Sequence, residues 1–391
     1  MLTIGASQVR PLKLLHVVPT YFPAARYGGP IYSVHGLCAA LAEAGHSVDV
    51  CTTSVDGSGR LNVPEGPPVD VDGVQVRYFR SRLDRLYWSP DMSAHLRAHV
   101  SDYDTVHLHS VYLWPTSSAA FWANRRGVPY VLAPRGMLVP ELIKAKSAWL
   151  KRAWIAAFER RNLVGAARLH LTSSQEAEDL ERCGLGDLAP TMILPNGVDI
   201  KEPVGRRVAR GQVLYLGRLS WKKNLQPLLD AISGIPAASL VLAGPDDEGL
   251  TTALKQRAEV AGCAQRVRFA GAVGSEQKRE LFATSACAVL PSLNENFGNV
   301  VIEALAQGCP VVVSPGVGAR TIVEECGGGL VAAGSDAESL RDSIDALLAD
   351  PLSAEARGAA GARYVRRNLG WPAIADRMAS VYREICAEAS V

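Results

Sequence analysis

Two glutamates, Glu295 and Glu303, flank a short glycine-containing stretch in the second half of the chain. The apolar run before them predicts a strand ending at Pro291, and a helix is predicted to begin near Gly298. N–H groups at a helix start bind anions readily, and Glu303 would lie roughly 7–8 Å further along the helix axis. Two carboxylates with an anion-binding site between them suit a nucleotide-sugar. Such a ligand presents sugar hydroxyls at one end, a diphosphate in the middle and ribose hydroxyls at the other end. For Glu295 alone, the alternative is an acidic residue that stabilises the helix dipole.

The length and composition of the chain limit its class. A chain of 391 residues is too long for one ordinary core, so we expect two domains. The composition is globular, and a net charge of +2 argues against a dedicated nucleic-acid binder. The eight cysteines include no Cys-x-x-Cys pair, which favours a reducing compartment. No segment has the pattern of a signal peptide or a membrane span, so we expect a cytoplasmic protein, soluble or at most peripheral at the inner membrane face.

Predicted strands alternate with predicted helices in two successive series. The first opens with a strand over 13–19, a loop holding Gly28-Gly29-Pro30 and a helix from about 33 to 44. The second opens with a strand at Gln212–Leu216, after a polar stretch over 201–210 that suits a linker. This alternation predicts two Rossmann-like, doubly wound α/β domains that face each other across a cleft, with ligands at the carboxyl ends of the parallel strands.

The segment from Pro291 to Pro310 resembles the Glu-x7-Glu signature of the family 4 glycosyltransferases, which are retaining enzymes with the two-domain GT-B fold. Its opening Ser-x-x-Glu-x-Phe-Gly and its closing Glu-Ala-x-Ala-x-Gly-x-Pro-Val match as well, and weaker matches cover nearly the whole chain. The resemblance implies an acceptor-binding domain over 1–200 and a nucleotide-sugar-binding domain over 201–370. It also implies a crossover helix over 371–391 that returns to the first domain.

The same resemblance assigns roles to single residues. Glu295 would contact the donor sugar and Glu303 its ribose, while Arg218 and Lys223 would hold the donor diphosphate, a task that suits a guanidinium and an ammonium group. For these cations the alternative is a solvated basic turn. The expected catalytic residues are therefore Glu295, Arg218 and Lys223, and the further expected ligand contacts are Gly28, Gly29, Arg135, Gly244, Val273, Asn296, Phe297, Gly298, Asn299, Val300 and Glu303.

The chain departs from the family pattern at two of these places. Asn224 stands where a glycine is usual, and Lys222 beside it can share the work of Lys223. Arg135 follows a strand at a position where many family members carry a histidine. Since an arginine is not a general base at neutral pH, Arg135 is expected to bind a phosphate or a sugar hydroxyl instead.

The resemblance implies sugar transfer from a nucleotide-diphosphate sugar to a hydroxyl of a saccharide or lipid-linked acceptor, with retention and without a metal or other cofactor. Synthesis of a surface polysaccharide or glycolipid is the usual bacterial role of the family. A nicotinamide dehydrogenase is disfavoured because no Gly-x-Gly-x-x-Gly follows either opening strand. A GT-B epimerase or phosphorylase, and an inactive sugar-binding homologue, remain as alternatives.

Three other features have ordinary structural interpretations. Asp70-Val-Asp72 has a metal-binding shape but precedes Gly73, so we expect a turn. The pairs His107 with His109 and His95 with His99 lack further ligands nearby in sequence and are expected to be core or surface histidines. In the basic, aromatic stretch over 144–161, the stripe of Leu150, Trp154 and Phe158 predicts core packing, with docking on a membrane surface as the alternative.

Overall fold

The computed structural model describes residues 10–24, 28–141, 149, 154–202 and 205–389. The chain divides into two compact units. The first comprises Met1–Leu171, Asp179–Leu194 and Ile374–Val391, and the second comprises Thr172–Glu178 and Pro195–Ala373. Each unit is an α/β structure built on one large, mainly parallel sheet, which confirms the predicted fold class.

The sheet of the first unit has eight strands in the order β10-β9-β8-β7-β1-β2-β6-β5. All neighbours are parallel except β5 and β6, and β3 and β4 form a separate antiparallel pair. The strands are β1 Lys13–Val17, β2 Ser47–Thr53, β3 Val55–Asp56, β4 Gly59–Arg60, β5 Pro68–Val71, β6 Val74–Phe79, β7 Thr105–His109, β8 Tyr130–Ala133, β9 Arg168–Leu171 and β10 Thr191–Ile193.

The sheet of the second unit has six strands in the order β13-β12-β11-β14-β15-β16, and every neighbouring pair is parallel. The apolar runs of the sequence predict strands over 212–216, 239–243, 266–269, 286–290 and 310–313, and a strand is present at each of them, whereas the short strand β16 was not predicted. The strands are β11 Gln212–Leu216, β12 Ser239–Ala243, β13 Val267–Gly271, β14 Cys287–Leu290, β15 Val311–Val313 and β16 Gly329–Val331.

Thirteen α-helices lie in the described part of the chain, and none of them is long and apolar enough to cross a membrane. They are α1 Gly29–Glu43, α2 Pro90–His99, α3 Trp114–Arg126, α4 Arg160–Val164, α5 Ser174–Arg182, α6 Leu225–Ser233, α7 Thr251–Val260, α8 Ser275–Thr284, α9 Asn299–Ala306, α10 Arg320–Cys326, α11 Ala337–Ala349, α12 Pro351–Asn368 and α13 Trp371–Glu388.

Apolar periodicity explains why these segments form these elements. The middle of β11 is buried completely, as expected for a central parallel strand covered on both faces. In α6, Leu225, Leu228, Leu229 and Ile232 recur at helical spacing and are all buried. Each such side chain contributes about 1.5–3 kcal/mol relative to an exposed one.

Helix α1 begins four residues earlier than predicted. Gly28 is its N-cap, with φ +67°, and Gly29 and Pro30 already belong to the first turn. The prediction of a loop over these residues was wrong because a proline does not destabilise a helix at its first positions. The backbone N–H that proline lacks would have had no hydrogen-bond partner within the helix there.

Helix α13 confirms the predicted C-terminal helix. Its residues from Ile374 onward belong to the first unit, where Met378 and Tyr382 are completely buried. The guanidinium of Arg168 binds the carboxylates of Glu384 and Glu388 at 3.1 and 2.6 Å, which ties the helix to the amino end of β9.

The structure decides two of the other local predictions. Asp70 accepts a hydrogen bond from the Gly73 amide at 3.2 Å, and Asp72 has φ +53°, so Asp70-Val-Asp72 forms the expected turn between β5 and β6. Phe158, by contrast, is 47% exposed, so the predicted core stripe was wrong at this residue. The segment Ile155–Glu159 is a π-helix, whose wider spacing puts Glu159 into the interior instead. Leu150 lies outside the described residues.

Four histidines form one group in the core of the first unit. His16, His107, His109 and His170 are all buried, which confirms that His107 and His109 are core residues. Burial and the charge of Arg135 lower the pKa of His16 and His170 to about 3, and burial also holds the pKa of His107 and His109 well below the usual value. His16 and His170 were not predicted to join this group because they lie on other strands.

These pKa shifts predict a loss of stability in acid. A neutral buried histidine stabilises the native protein fully above pH 6.5, and this contribution disappears as pH falls from 6.5 towards 3, because only the unfolded chain takes up the proton. For His170 alone the loss between pH 7 and pH 5 should be about 2 kcal/mol. A His170→Gln variant keeps a donor for the Leu194 carbonyl but cannot titrate, so its unfolding free energy should fall about 2 kcal/mol less over this interval.

Urea unfolding at pH 7 and pH 5 measures the difference, with the exposed His99→Gln as the matched control. Equal pH dependence in the parent and in His170→Gln would show that His170 is protonated in the native state.

Candidate functional site

The strand order of the second unit creates a switch point between β11 and β14. From β11 the chain winds outwards through β12 and β13, and it then returns to β14 on the opposite side of β11. In open parallel sheets the loops that leave such a point diverge and open a crevice at the carboxyl ends of the strands. The loop after β11 carries Arg218 and Lys223, and the loop after β14 carries Glu295. The predicted residues of the second half therefore meet at one sheet edge.

Glycines let the loops after β11, β12 and β13 pass very close to one another. The Gly244 amide donates to the Gly271 carbonyl at 2.7 Å, and the Gly217 amide donates to the Ala243 carbonyl at 2.9 Å. A Cβ atom on Gly244 would lie 1.9 Å from the carbonyl oxygen of Gly217. Only a residue without a side chain fits there, so the loops after β11 and β12 cross in direct backbone contact at Gly244.

The two predicted cations differ in their environment. Arg218 is exposed and, within the part of the chain that the structure describes, forms no ion pair with a carboxylate. Its carbonyl oxygen accepts a hydrogen bond from the hydroxyl of Tyr215 at 2.7 Å. Burial, with the negative charge of Glu295 as a smaller cause, raises the pKa of Tyr215, so that this phenol stays a donor. Lys223 is mostly buried, and its ammonium pairs with the carboxylate of Glu295.

Asn224 occupies a backbone position that explains its departure from glycine. Its φ of +55° lies in the left-handed region, where asparagine is the best tolerated residue after glycine. The side-chain amide also donates to the Ser335 carbonyl at 2.7 Å. Asn224 thus fixes the end of the single 3₁₀ turn Trp221–Lys223 and the start of α6.

The Glu295 loop is fixed by a second loop that sequence reasoning missed. The Glu295 amide donates to the Gly316 carbonyl, and the Gly318 amide donates to the Glu295 carbonyl, both at 2.9 Å. Cβ atoms on Gly316 and Gly318 would lie 2.2 and 2.1 Å from the carbonyl oxygens of Leu293 and Asn296. The signal was present in the sequence, since Pro315-Gly-Val-Gly318 directly follows the predicted strand β15.

Helix α9 starts at the predicted place. Gly298 is its N-cap with φ +94°, and a Cβ atom there would lie 2.9 Å from the Leu290 side chain. Asn299 and Val300 therefore open the first helical turn, a few residues after Glu295. The first amides of a helix have no partner within it, which is why helix starts bind anions readily.

Two predicted contacts of this segment are engaged inside the unit. The side-chain amide of Asn296 donates to the hydroxyl of Thr172 at 2.8 Å and to the Glu176 carboxylate at 3.3 Å. The side chain of Phe297 is buried. Both residues thus anchor the loop through their side chains.

Glu303 lies one and a half turns into α9 and pairs with a residue that the sequence did not point to. Its carboxylate accepts a hydrogen bond from Lys278 on α8 at 2.8 Å, and both side chains are about a quarter exposed: 27% for Glu303 and 30% for Lys278. Val273, half-buried, lies just before α8. Nothing in the local sequence signals the pairing, because it joins residues on two different helices.

The predicted residues of the first unit lie at the carboxyl ends of its central strands. Gly28 and Gly29 start α1 after β1, and Arg135 follows β8 with φ +56°. The guanidinium of Arg135 lies 3.2 Å from Nδ1 of His109. These residues belong to a different unit from Arg218, Lys223, Glu295 and Glu303.

Comparison with known proteins supports one family along most of the chain. The sequence model described as glycosyl transferase 4-like domain matches residues 28–197, and that of glycosyl transferases group 1 matches residues 199–364. A D-inositol 3-phosphate glycosyltransferase of Xylanimonas cellulosilytica is 28% identical over 392 aligned positions, covering 91% of this chain and 92% of the relative. This chain belongs to the family 4 glycosyltransferases. A second relative in the family, a phosphatidyl-myo-inositol mannosyltransferase of Mycobacterium leprae, is 26% identical and covers 80% of the chain and 82% of its own length.

Solved structures share the GT-B fold of this family 4 glycosyltransferase. Sucrose-phosphate synthase from Thermosynechococcus elongatus superposes with a TM-score of 0.77 at 23% identity, covering 96% of this chain and all of the other. Anabaena HepE in complex with UDP-glucose gives a TM-score of 0.70 at 17% identity, covering 95% of this chain and all of the other. The chain is therefore a glycosyltransferase with the GT-B fold.

The loop crossing at Gly244 predicts a large effect of a single methyl group. Gly244→Ala should destabilise the protein by at least about 2 kcal/mol more than Gly262→Ala, because an overpacked backbone contact must be relieved. Gly262 is the matched control: its φ of +73° is also unfavourable for alanine, but a Cβ atom there meets nothing within 4 Å. Urea unfolding of both variants measures the difference. Equal losses would mean that the loops after β11 and β12 separate easily.

Proposed function

We propose that the second unit binds a nucleotide-diphosphate sugar at the switch point between β11 and β14 and that the enzyme transfers its sugar to an acceptor hydroxyl with retention. The bond between the anomeric carbon and the phosphate oxygen breaks, and a bond to the acceptor oxygen forms on the same face. The leaving phosphate oxygen takes the proton of the acceptor hydroxyl. This reaction needs no protein base, in keeping with the presence of Arg135 at the position where many family members carry histidine.

The observation that carries this proposal is the pairing of Lys223 with Glu295 beside the start of α9. Negative charge collects on the departing diphosphate, and Arg218, Lys223 and the first turn of α9 lie at the same sheet edge to stabilise it. Each charge-assisted hydrogen bond contributes about 1.5–3 kcal/mol. In this account the diphosphate takes over the ammonium of Lys223, which frees the Glu295 carboxylate for a hydroxyl of the donor sugar.

Glu303 is proposed to accept hydrogen bonds from the ribose. Its distance along α9 puts it one and a half turns beyond the anion site, which corresponds to the spacing of the diphosphate and the ribose. The ammonium of Lys278 holds this carboxylate in place through their ion pair. The backbone around Gly244 and Val273, at the ends of the two neighbouring strands, is proposed to contact the rest of the nucleotide.

The acceptor is proposed to contact the first unit through Arg135 and the start of α1 at Gly28 and Gly29. The names of the relatives support a polar acceptor, since they specify inositol 3-phosphate and phosphatidyl-myo-inositol. We propose a saccharide or lipid-linked acceptor, in surface polysaccharide or glycolipid synthesis. The exposed side chains of Trp149 and Phe158 support a peripheral contact with the cytoplasmic face of the inner membrane.

Catalysis is proposed to require no divalent metal and no other cofactor. The cations at the switch point supply the charge that a metal would otherwise bring to the diphosphate. Asp70 and Asp72, which have the spacing of a metal-binding pair, are engaged in a turn and with His35.

The two glutamates predict different kinetic defects. Glu295→Gln should lower kcat at least about a hundredfold, because its contact with the sugar strengthens in the transition state. Glu303→Gln should raise the donor KM with little change in kcat, since the ribose does not change during transfer. Steady-state kinetics with UDP-, GDP- and ADP-sugars as donors measure both effects.

Glu324→Gln, an exposed isosteric change on α10, is the control and should leave both constants unchanged. A well-folded Glu295→Gln enzyme with parental kcat would refute the proposed site, and a kcat defect in Glu303→Gln at unchanged KM would refute the role of Glu303.

A further inference from the structure

Four of the buried histidines of the first unit form one group, which comes from strands β1, β7 and β9. His16 on β1 and His107 on β7 are direct partners in the parallel register, and His109 is the next residue of β7 on the same face. His170 lies on β9. Each is at most 3% exposed, so each imidazole is neutral and carries one N–H donor and one lone pair.

The contacts of His170 fix the proton positions in one half of the group. Nε2 of His170 lies 2.8 Å from the Leu194 carbonyl, which only accepts, so Nε2 carries the proton. Nδ1 of His170 is then an acceptor, and Nε2–H of His107 donates to it at 3.3 Å. Nδ1 of His107 must in turn accept from the Tyr382 hydroxyl at 2.7 Å. The direction of all three hydrogen bonds therefore follows from the Leu194 carbonyl, which can only accept.

Arg135 fixes the other half in the same way. A guanidinium only donates, so Nδ1 of His109 accepts from Arg135 at 3.2 Å, and its proton is on Nε2. That proton is donated to Nδ1 of His16 at 3.0 Å. The remaining proton of His16 is on Nε2, which is buried and has no hydrogen-bond partner among the described residues. All four histidines are thus Nε2–H tautomers.

The same geometry brings His16, His107 and His109 close enough to suggest a metal. One ring nitrogen from each lies within 4.8 Å of the others. However, coordination through Nε2 of His109 would move its proton to Nδ1, directly against the Arg135 guanidinium. Among the described residues, no carboxylate belongs to this group to balance the added charge. The hydrogen bond from Arg135 to Nδ1 of His109 therefore excludes metal binding by the three histidines.

We propose that His109, supported by His16, is a positioning residue for Arg135. Arg135 has φ +56°, a conformation that non-glycine residues keep only when their surroundings hold it, and the acceptor nitrogen of His109 is such a constraint on its side chain. The inference rests on the proposed contact of Arg135 with the acceptor, and it adds that one fixed tautomer directs the guanidinium.

The tautomers are observable directly. Long-range ¹H–¹⁵N correlation spectra of the protein with ¹⁵N-labelled histidine should show His16, His107, His109 and His170 as neutral Nε2–H forms at pH 7, and the purified protein should contain no stoichiometric transition metal. An Nδ1–H tautomer at His109, or a metal bound to these histidines, would overturn the proposal whatever the role of Arg135.

Kinetics test the positioning role. His109→Leu and Arg135→Gln should each raise the acceptor KM at least about tenfold, and the double variant should be no worse than Arg135→Gln. His109→Asn, whose Oδ1 replaces Nδ1 as the acceptor, should restore most of the affinity. An unchanged acceptor KM in His109→Leu, with a raised one in Arg135→Gln, would overturn the positioning role. Unchanged values in both variants would refute the proposed contact of Arg135 itself, and the inference with it.

Discussion

The site of the second unit depends on one close backbone crossing. The carbonyl oxygen of Gly217 occupies the place where a side chain on Gly244 would begin, 1.9 Å from an ideal Cβ. This contact fixes the position of the loop after β11 relative to the loop after β12. Arg218 follows Gly217 directly, and Lys223 lies further along the same loop. A larger residue at position 244 would displace both cations from the sheet edge. The Gly316 and Gly318 loop does the same for Glu295 on the other side of the switch point.

Two Lys–Glu ion pairs carry most of the charge at this edge of the second unit's sheet. Lys223 with Glu295 and Lys278 with Glu303 are both partly exposed, so each pair alone adds little to the stability of the fold. Their value is that two carboxylates and two ammonium groups are already ordered before a ligand binds, which lowers the entropy cost of binding. Arg218, exposed beside them, adds a positive charge that is not neutralised by a carboxylate of the described chain.

Much of this arrangement was predictable from the sequence, and the rest was not for identifiable reasons. Strands such as β11 and β14 and the start of α9 at Gly298 follow from apolar runs and glycine positions, which are local signals. The pairing of Lys278 with Glu303, and the joining of His16 and His170 to His107 and His109, depend on strand order and register, which no local pattern encodes. The π-helical turn that exposes Phe158 is a third case: a change of helical pitch breaks the spacing rule on which the prediction of core packing relied.

The central claim is that the protein's own cations, and no metal, bind the diphosphate at this switch point. Calorimetric titration of UDP, GDP and ADP in the presence of EDTA tests it most directly. If the cations alone hold the diphosphate, at least one of the three binds under these conditions, with a Kd that added magnesium leaves unchanged within about twofold. The same claim also predicts that Arg218→Ala combined with Lys223→Ala weakens this binding by roughly 10²–10⁴-fold. Binding that appears only after magnesium or manganese is added, or that survives undiminished in the double variant, would contradict it.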